Sequence, residues 1–194
     1  MKNEIEAKFT NVNIDEIRQK LAVAGGVLIH PMRDFKRVTI DSPELKAKDA
    51  FVRVRDEGNK TTLTYKQFDK LSLDGVKEIE VVVSDFDTTV DLFRAVGLPH
   101  GSLQESRRET WELDDAEVVI DQWPWLNTYI EIEGPTEDSV INTAKKLGFE
   151  WEEAIFGDVM AAYRVQYPHL TLKDTVGNLE NVRFDDPLPD MFKN

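Results

Sequence analysis

The sequence lacks cysteine altogether, and only three of its 194 residues are histidine. The absence of thiols excludes a disulfide scaffold, a zinc–cysteine site, an iron–sulfur cluster and a cysteine nucleophile. The histidines His30, His100 and His169 are scattered without metal-ligand spacing. No Ser/His/Asp arrangement, Walker loop or GxGxxG motif occurs either. Any bound metal ion is therefore expected to have oxygen ligands.

Long apolar runs are missing as well. No stretch of 18 apolar residues occurs that could span a membrane. The segment MKNEIEAKFT is charged from its second residue and has no apolar core of a secretory signal. Apolar residues still make up 41% of the chain, which is enough for a hydrophobic core. We therefore expect a cytoplasmic, soluble protein with no membrane partner and one main domain.

Basic residues are outnumbered by acidic ones, 24 against 37, which gives a formal net charge of −13. A nonspecific nucleic-acid binder normally has a basic surface, so no nucleic-acid partner is expected. The total charge does not report how the bases are distributed. A small phosphate compound chelated by a metal ion therefore remains compatible with this acidity.

Three segments of the chain resemble one another, and each has Glu-Ile-Glu followed by an amphipathic helix that ends at glycine. Helices are predicted over 13–24, 84–96 and 136–147, with a weaker fourth over about 152–163. Strands are predicted at the first two Glu-Ile-Glu segments and over 34–41, 50–56, 61–68, 104–113, 116–122 and 129–133, with a short one at 181–184. About eight substantial strands suit an α+β fold, an eight-stranded antiparallel β-barrel with helices packed outside.

The chain shows no internal linker, but its end is different in composition. We expect residues 1–165 to form the barrel domain. Residues 166–194 form a C-terminal extension, which is polar and interrupted by proline from Pro168 onward. We expect this extension to be loosely ordered.

Charged side chains share one face on nearly every predicted strand, because successive side chains of a strand point to opposite faces. Seven acids and five bases are placed on these faces: Glu4, Glu6, Glu78, Glu80, Asp121, Glu131 and Glu133, with Lys8, Arg53, Arg55, Lys66 and Arg108. Alternation alone also fits a solvated outer sheet face. If the helices cover the outer apolar face, however, the charged face lines the interior. Paired carboxylates suit divalent cations, and the lysines and arginines suit phosphate oxygens.

The order of these residues resembles the CYTH domain, the family of triphosphate tunnel metalloenzymes. Glu4-Ile5-Glu6-Ala7-Lys8 matches the ExExK motif of that family. The motifs that follow are Arg53-x-Arg55, Thr64-Tyr65-Lys66, Glu78-x-Glu80, Arg107-Arg108, Asp121 and Glu131-Ile132-Glu133-Gly134-Pro135. The family includes class IV adenylyl cyclases, thiamine triphosphatases, inorganic triphosphatases and fungal RNA triphosphatases. The resemblance covers roughly residues 1 to 165.

The resemblance implies a tunnel that binds a triphosphate together with Mg²⁺ or Mn²⁺. Glu4, Glu6, Asp121, Glu131 and Glu133 would be associated with the metal. Lys8, Arg53, Arg55, Lys66 and Arg108 would bind the triphosphate oxygens, with Lys8 also taking part in the reaction. Glu78 and Glu80 would position water or orient the bases, and are therefore candidate catalytic residues. Arg107 has the wrong parity for the lumen unless a bulge exchanges it with Arg108.

The sequence departs from the family in some places. Some inorganic triphosphatases have a tyrosine on the second strand, whereas this strand has none. Its Arg37 is either a further phosphate contact or a surface residue. Lys173 is a candidate for the late lysine that long cytosolic thiamine triphosphatases supply from a C-terminal helix. The segment Trp123-Pro124-Trp125 would either pack at a loop or stack on a base.

Three functions stay open at this point. The first is metal-dependent hydrolysis of a linear triphosphate: inorganic triphosphate, a nucleoside triphosphate or thiamine triphosphate. The second is a class IV adenylyl cyclase that converts ATP to cyclic AMP and pyrophosphate. The third is a polyphosphate- or nucleotide-binding module without turnover. Neither the substrate nor the oligomeric state follows from the sequence, and a homodimer is compatible with it.

Overall fold

The computed structural model describes residues 2–68, 72–98 and 100–193. Its strands are β1 (Lys2–Glu4), β2 (Glu6–Phe9), β3 (Val27–Ile40), β4 (Ala50–Asp56), β5 (Thr61–Phe68), β6 (Val76–Val83), β7 (His100–Leu113), β8 (Ala116–Trp123), β9 (Leu126–Glu133) and β10 (Asn181–Val182). Its helices are α1 (Ile14–Ala24), α2 (Pro43–Lys46), α3 (Phe86–Ala95), α4 (Glu137–Lys146) and α5 (Val159–Gln166). In the part of the chain described, none of these helices combines the length and the apolarity needed to cross a bilayer.

The main sheet curls round and is joined to itself by the N-terminal strand. Its strand order is β1-β6-β5-β4-β3-β7-β8-β9-β2, with antiparallel pairing throughout this path. The N-terminal strand is interrupted at Ile5, so that its first half, β1, pairs with β6 and its second half, β2, pairs with β9. Counting β1 and β2 as one strand gives eight. The predicted eight-stranded antiparallel barrel with helices outside is confirmed.

The helix starts show the capping expected from the sequence. The Asn13 side chain accepts hydrogen bonds from the backbone N–H groups of Asp15 and Glu16, which satisfies two donors at the start of α1. The Thr136 side chain caps α4 by accepting one hydrogen bond, from the backbone N–H of Ser139. The cap of α3 is Asp85, one residue later than the predicted start of that helix.

The fourth helix, predicted over about 152–163, begins seven residues later than expected, at Val159. Residues Trp151–Glu153 form only a short 3₁₀ turn, and Ile155 then forms a β-bridge with Lys8. Gly157 follows with a φ of +108°, a left-handed conformation that ends regular helix. Helix α5 begins only after this glycine, with Asp158 as its cap. Helix α2 was not predicted, and β3 begins seven residues earlier than the predicted strand at 34.

The apolar core lies outside the barrel wall, between the sheet and the helices. Ile17 and Leu21 of α1, with Val140 and Ala144 of α4, pack on outward-facing side chains of β2, β8 and β9: Ala7, Phe9, Val118, Ile120, Ile130 and Ile132. Helix α3 packs in the same way on Val38, Ile40 and Val54. Each large side chain buried here contributes on the order of 1.5–3 kcal/mol. This packing turns the opposite, charged faces of the strands into the barrel.

The C-terminal extension, for which loose order was expected, packs on one end of the barrel. Leu170, Val176, Val182 and Phe192 are buried in a cluster with side chains of α5 and with Trp123 and Tyr129 of the sheet. The Phe192 ring stacks on Tyr163 at a centroid distance of 5.0 Å. Strand β10 pairs with β7 in the parallel direction. The tail therefore forms part of the same packed unit as the barrel.

Candidate functional site

The lumen of the barrel is a cavity of about 970 Å³ lined by charged side chains. Eleven of the twelve residues placed on inward faces by the sequence line it: Glu4, Glu6, Lys8, Arg53, Arg55, Lys66, Glu78, Glu80, Arg108, Glu131 and Glu133. They come together from β1, β2, β4, β5, β6, β7 and β9. The alternation of side chains in strands is sufficient to bring them to one face.

Lys8 lies between two carboxylates. Its Nζ is 2.7 Å from Glu6 Oε1 and 2.9 Å from Glu131 Oε2, and its side chain is 3% exposed. The register explains this contact, because Lys8 is paired with Glu131 across β2 and β9. Burial lowers the pKa of Lys8, but the Glu131 and Glu6 carboxylates outweigh burial and hold the pKa above its usual value. Lys8 is therefore a fixed positive charge.

The two carboxylates around Lys8 differ in their protonation behaviour. Burial and then Glu131 raise the pKa of Glu6 to about 7, against the opposing effect of Lys8. Burial also raises the pKa of Glu131, but Lys8 and Arg108 lower it by more, so that it lies below its usual value. One of the two acids is thus firmly ionised, while the other gives up its proton only near neutral pH.

Lys66 forms a second arrangement of this kind. Its Nζ is 2.8 Å from Glu4 Oε2 and 3.0 Å from Glu78 Oε2. Burial raises the pKa of Glu4, Lys66 lowers it, and Glu78 raises it again, with a net upward shift. Lys8 and Lys66 are therefore matched by two carboxylates each.

Two of the lumen arginines each have one carboxylate within 3 Å, and Arg108 also lies 3.8 Å from Glu131 Oε1. Arg108 Nε and Nη2 donate to Asp121 Oδ1 and Oδ2 at 2.7 and 2.6 Å, a two-pronged contact. Asp121 lies behind Arg108 and does not line the cavity. Arg55 donates from Nε and Nη2 to Glu57 Oε1 at 2.9 and 2.5 Å. The role of Asp121 at a metal site stays a prediction.

Two further arginines have weaker acidic partners or none. Arg53 Nη2 donates to Thr64 Oγ1 at 3.1 Å and is 3.6 Å from Glu80 Oε2, while Thr64 Oγ1 donates to Glu80 Oε2 at 2.9 Å. Burial and then Arg55 lower the pKa of Arg53 to about 9. Arg37 also lies in the lumen, and burial followed by repulsion from Arg53 and Arg55 lowers its pKa well below its usual value.

The adjacent arginines of β7 face in opposite directions, as strand parity predicts. Arg107 lies outside, where its Nε is 2.8 Å from Asp34 Oδ1 and its guanidinium covers the Phe184 ring. Arg108 points into the cavity. No bulge exchanges them, because the β7–β8 pairing is regular from Arg107 to Leu113. Lys173 is exposed and does not line the cavity.

Several lumen residues were not identified from the sequence. Glu57 lies in the β4–β5 turn, and its side chain folds inward onto Arg55. The alternation of side chains in strands does not predict this inward direction, because Glu57 lies outside both strands. Tyr129 and Gln104 continue the inward faces of β9 and β7. Asp158 reaches the cavity from the start of α5, in the segment that was predicted as continuous helix. Strand parity places Tyr129 and Gln104 on the inward faces, but neither side chain has a charge that would distinguish it as a lumen residue.

The carboxylates are suited in kind to a metal ion, although they are not gathered round one point. Within residues 2–68, 72–98 and 100–193, no group of three or more acidic or histidine side chains is arranged as a ready set of metal ligands. The donor set is composed of hard carboxylate oxygens, as Mg²⁺ and Mn²⁺ prefer. Burial is the main cause of the upward pKa shifts of Glu6 and Glu4, with a smaller contribution from the neighbouring carboxylates Glu131 and Glu78, and a bound cation would favour the ionised form of both acids. The residues therefore fit a divalent ion.

Comparison with known proteins agrees with this architecture. The family model described as the CYTH domain matches residues 2–155. A Methanocaldococcus jannaschii protein named "Putative adenylate cyclase" is 29% identical over 114 residues, which are 58% of this chain and 63% of that protein. The chain thus matches less than two thirds of that relative's length.

Solved structures share the fold at low sequence identity. A structure described as a putative adenylate cyclase from Vibrio parahaemolyticus has a TM-score of 0.70 and 11% identity, covering 84% of this chain and 98% of that one. A Hippeastrum structure, described as a putative adenylyl cyclase with a dominant triphosphatase activity, has a TM-score of 0.56 and 14% identity, covering 87% and 98% of the two chains. At these identities the likeness concerns the fold alone.

Proposed function

Because the chain belongs to the CYTH domain family, we propose that it binds a linear triphosphate in the charged lumen and hydrolyses it with the help of a divalent metal ion. The observation that supports this most is the group of buried arginines on β3, β4 and β7. Arg37, Arg53, Arg55 and Arg108 face one cavity, and burial together with repulsion among them lowers the pKa of Arg37 and Arg53. Buried cations of this density are costly unless an anion joins them.

A polyphosphate is the anion that this arrangement fits best. Arginine has a planar fork of donors that matches two phosphate oxygens at once. The arginines come from three adjacent strands, so they can contact successive phosphoryl groups of one chain. A single carboxylate or phosphate would leave some of these guanidinium groups without an anion.

The carboxylates on the other side of the lumen have the complementary task. Glu4, Glu6, Glu131 and Glu133 would hold Mg²⁺ or Mn²⁺, with Asp121 acting behind Arg108. The bound ion would polarise a phosphoryl oxygen and neutralise developing charge. The cation would offset the burial and, to a lesser extent, the like-charge repulsion that raise the pKa of Glu6 and Glu4.

The protein side chains provide orientation and charge. Lys8, Arg53, Arg55, Lys66 and Arg108 hold the phosphate oxygens and stabilise charge that develops during transfer. Glu78 keeps Lys66 in place, and Glu80 holds Thr64 and lies near Arg53. Glu80 is the more accessible of these two acids and orients the attacking water.

The name of the Methanocaldococcus jannaschii relative favours a second candidate, a class IV adenylyl cyclase. The same cations would hold the triphosphate of ATP while its 3′-hydroxyl attacks the α-phosphorus and pyrophosphate leaves. A cavity of about 970 Å³ has room for a nucleoside beside the phosphates.

One panel of assays separates these functions. Tripolyphosphate, ATP and thiamine triphosphate are each incubated with Mg²⁺ or Mn²⁺, and phosphate and cyclic AMP are measured together. We expect phosphate release by the wild type, a loss of at least about 100-fold in the double variant Glu4→Gln/Glu6→Gln, and wild-type rates in the control Arg107→Gln on the outer surface.

Other outcomes of the panel have equally clear meanings. Cyclic AMP and pyrophosphate from ATP, without phosphate release, would favour the cyclase. Calorimetric binding of all three compounds with no turnover would favour a non-catalytic binding module. Phosphate release equal to that of the double variant for every substrate would contradict hydrolysis.

A further inference from the structure

We propose that Arg37 is a phosphate-binding residue of the lumen, additional to the cations of the sequence motifs. The inference rests on the proposed function in one respect, namely that the lumen receives a polyphosphate. Arg37 lies on β3, where it is paired with Arg55 on one side and Gln104 on the other. It therefore occupies a position between the Arg53/Arg55 pair and β7, the strand that holds Arg108.

The guanidinium of Arg37 is held in a defined plane. Its Nη2 donates to Ser106 Oγ at 2.6 Å, and its central carbon lies 4.4 Å from the centre of the Trp123 ring. Arg37 is 8% exposed and Trp123 5% exposed, so both are surrounded by protein. Stacking on tryptophan fixes the orientation of the fork without neutralising its charge.

The charge of Arg37 has no carboxylate in direct contact with it. Among the residues that the structure describes, no carboxylate oxygen lies within 4.0 Å of it, whereas Arg55 and Arg108 each have a close acid. Its buried Nε has no hydrogen-bond partner. Arg53, Arg55 and Arg108 repel it, and the acid that attracts it, Asp121, has both carboxylate oxygens occupied by Arg108.

A structural role does not explain these contacts. A buried arginine that only supported the fold would be expected to have an acid beside it, since an unpaired buried charge is strongly unfavourable. An apolar side chain of similar length would cover Trp123 without that cost. The oriented fork, the unpartnered Nε and the surrounding cations together describe an anion site that an incoming phosphate completes.

The experiment is a calorimetric titration of the full chain with sodium tripolyphosphate in EDTA, so that no turnover occurs. Wild type is compared with Arg37→Gln, Arg37→Lys and the control Arg107→Gln. Loss of hydrogen bonds to a charged group is expected to weaken binding in Arg37→Gln by roughly 10- to 100-fold. Arg37→Lys should recover part of the affinity because it restores charge but not the fork, and Arg107→Gln should bind like wild type.

Thermal unfolding distinguishes a ligand-binding from a structural role. Without anion, Arg37→Gln should melt at the same temperature as wild type or higher, because it removes an unpaired buried charge. With tripolyphosphate, the rise in melting temperature should be smaller than in wild type. Wild-type affinity in Arg37→Gln would overturn the inference, and so would an unchanged rise in melting temperature with tripolyphosphate.

The two proposals can fail separately. Turnover that is normal in wild type and unchanged in kcat and KM in Arg37→Gln would overturn the inference and leave hydrolysis intact. Arg37-dependent binding of tripolyphosphate without phosphate release from any substrate would support the inference and contradict hydrolysis.

Discussion

Within the lumen, the surroundings of Lys8 and Lys66 have an excess of acids, whereas the surroundings of the arginines have an excess of bases. On the lysine side (Glu4, Glu6, Lys8, Lys66, Glu78 and Glu131), four acids surround two bases at 2.7 to 3.0 Å. On the arginine side (Arg37, Arg53, Arg55 and Arg108), Arg55 and Arg108 have an acid within 3 Å and Arg53 has one only at 3.6 Å. Arg37 has none within 4.0 Å among the described residues. The lysine side therefore has an excess of negative charge that can bind a cation. The arginine side has an excess of positive charge that can bind an anion.

Because of this difference, a single cavity can bind a cation on one side and an anion on the other. In a metal–triphosphate complex, the metal ion is the positive part and the triphosphate is the negative part. The lysine side of the lumen suits the metal ion, and the arginine side suits the triphosphate. The formal charge of −13 does not reveal this separation, because it sums the exterior and the interior. The expected effects of three substitutions, in order of decreasing size, test whether the two sides are as different as their contacts indicate.

The largest effect is expected for Lys8→Met on the lysine side. The substitution leaves Glu6 and Glu131 buried and facing each other without a cation, and we expect a loss of about 3–5 kcal/mol in the free energy of unfolding at pH 7. Urea unfolding measures this loss. Part of it should be recovered at pH 5, where Glu6 can take up a proton. The exposed control Lys173→Met should unfold like wild type. An unchanged urea midpoint in Lys8→Met would show that Lys8 does not stabilise the Glu6 and Glu131 carboxylates.

A pH dependence of stability is expected from Glu6. Its pKa is raised to about 7 in the folded protein, so the folded state binds more protons than the unfolded state between pH 4.5 and 7. Stability should therefore fall by roughly 2–3 kcal/mol as pH rises through this window in EDTA. The shift of Glu131 has the opposite direction and acts below pH 4.5, outside the window.

The control for this dependence is Glu6→Gln, which should reduce the slope of unfolding free energy against pH between pH 4.5 and 7. Glu4, whose pKa is also raised, leaves a residual slope of the same sign. Added Mg²⁺ should also reduce the slope in wild type, because a bound cation favours the ionised carboxylate. Equal slopes in wild type and Glu6→Gln would contradict the assignment of the titration to Glu6.

The smallest effect is expected for Glu57→Gln on the arginine side. Glu57 is 4% exposed and occupies the Nε and Nη2 edge of Arg55. Its removal leaves a third arginine without a close acid, and we expect tripolyphosphate to bind about 3- to 10-fold more tightly in EDTA. Calorimetry against wild type measures this change. Unchanged or weaker binding would show that Glu57 does not compete with the anion for Arg55.

Strand alternation was sufficient to predict most of the lumen. In β4, Val54 separates Arg53 from Arg55 and packs in the outer core, so both arginines must face inward. In β7, the same parity placed Arg108 inside and Arg107 outside. These residues were predictable because a charged position and an apolar position follow each other directly.

Strand alternation could not place Arg37, because Arg37 and the residue before it in β3 are both charged. Lys36 faces outward, where it covers the Phe86 ring of α3 at 4.4 Å. The inward face of the same strand contains the apolar Phe35, which contradicts a purely charged lumen. Glu57 was missed for another reason, since a turn has no alternation and its side chain direction depends on tertiary contacts.

The interruption of the N-terminal strand at Ile5 has a consequence for the order in which the protein can assemble. Lys8 and its partner Glu131 are more than 120 residues apart in the chain, and the same short strand must also find β6. Closing loops of that length is slow compared with forming local hairpins. Residues 2–9 emerge from the ribosome well before either partner strand. The cavity is thus completed only when the N-terminal strand pairs with β6 and β9. A chain that has formed its hairpins but not this pairing has no assembled site.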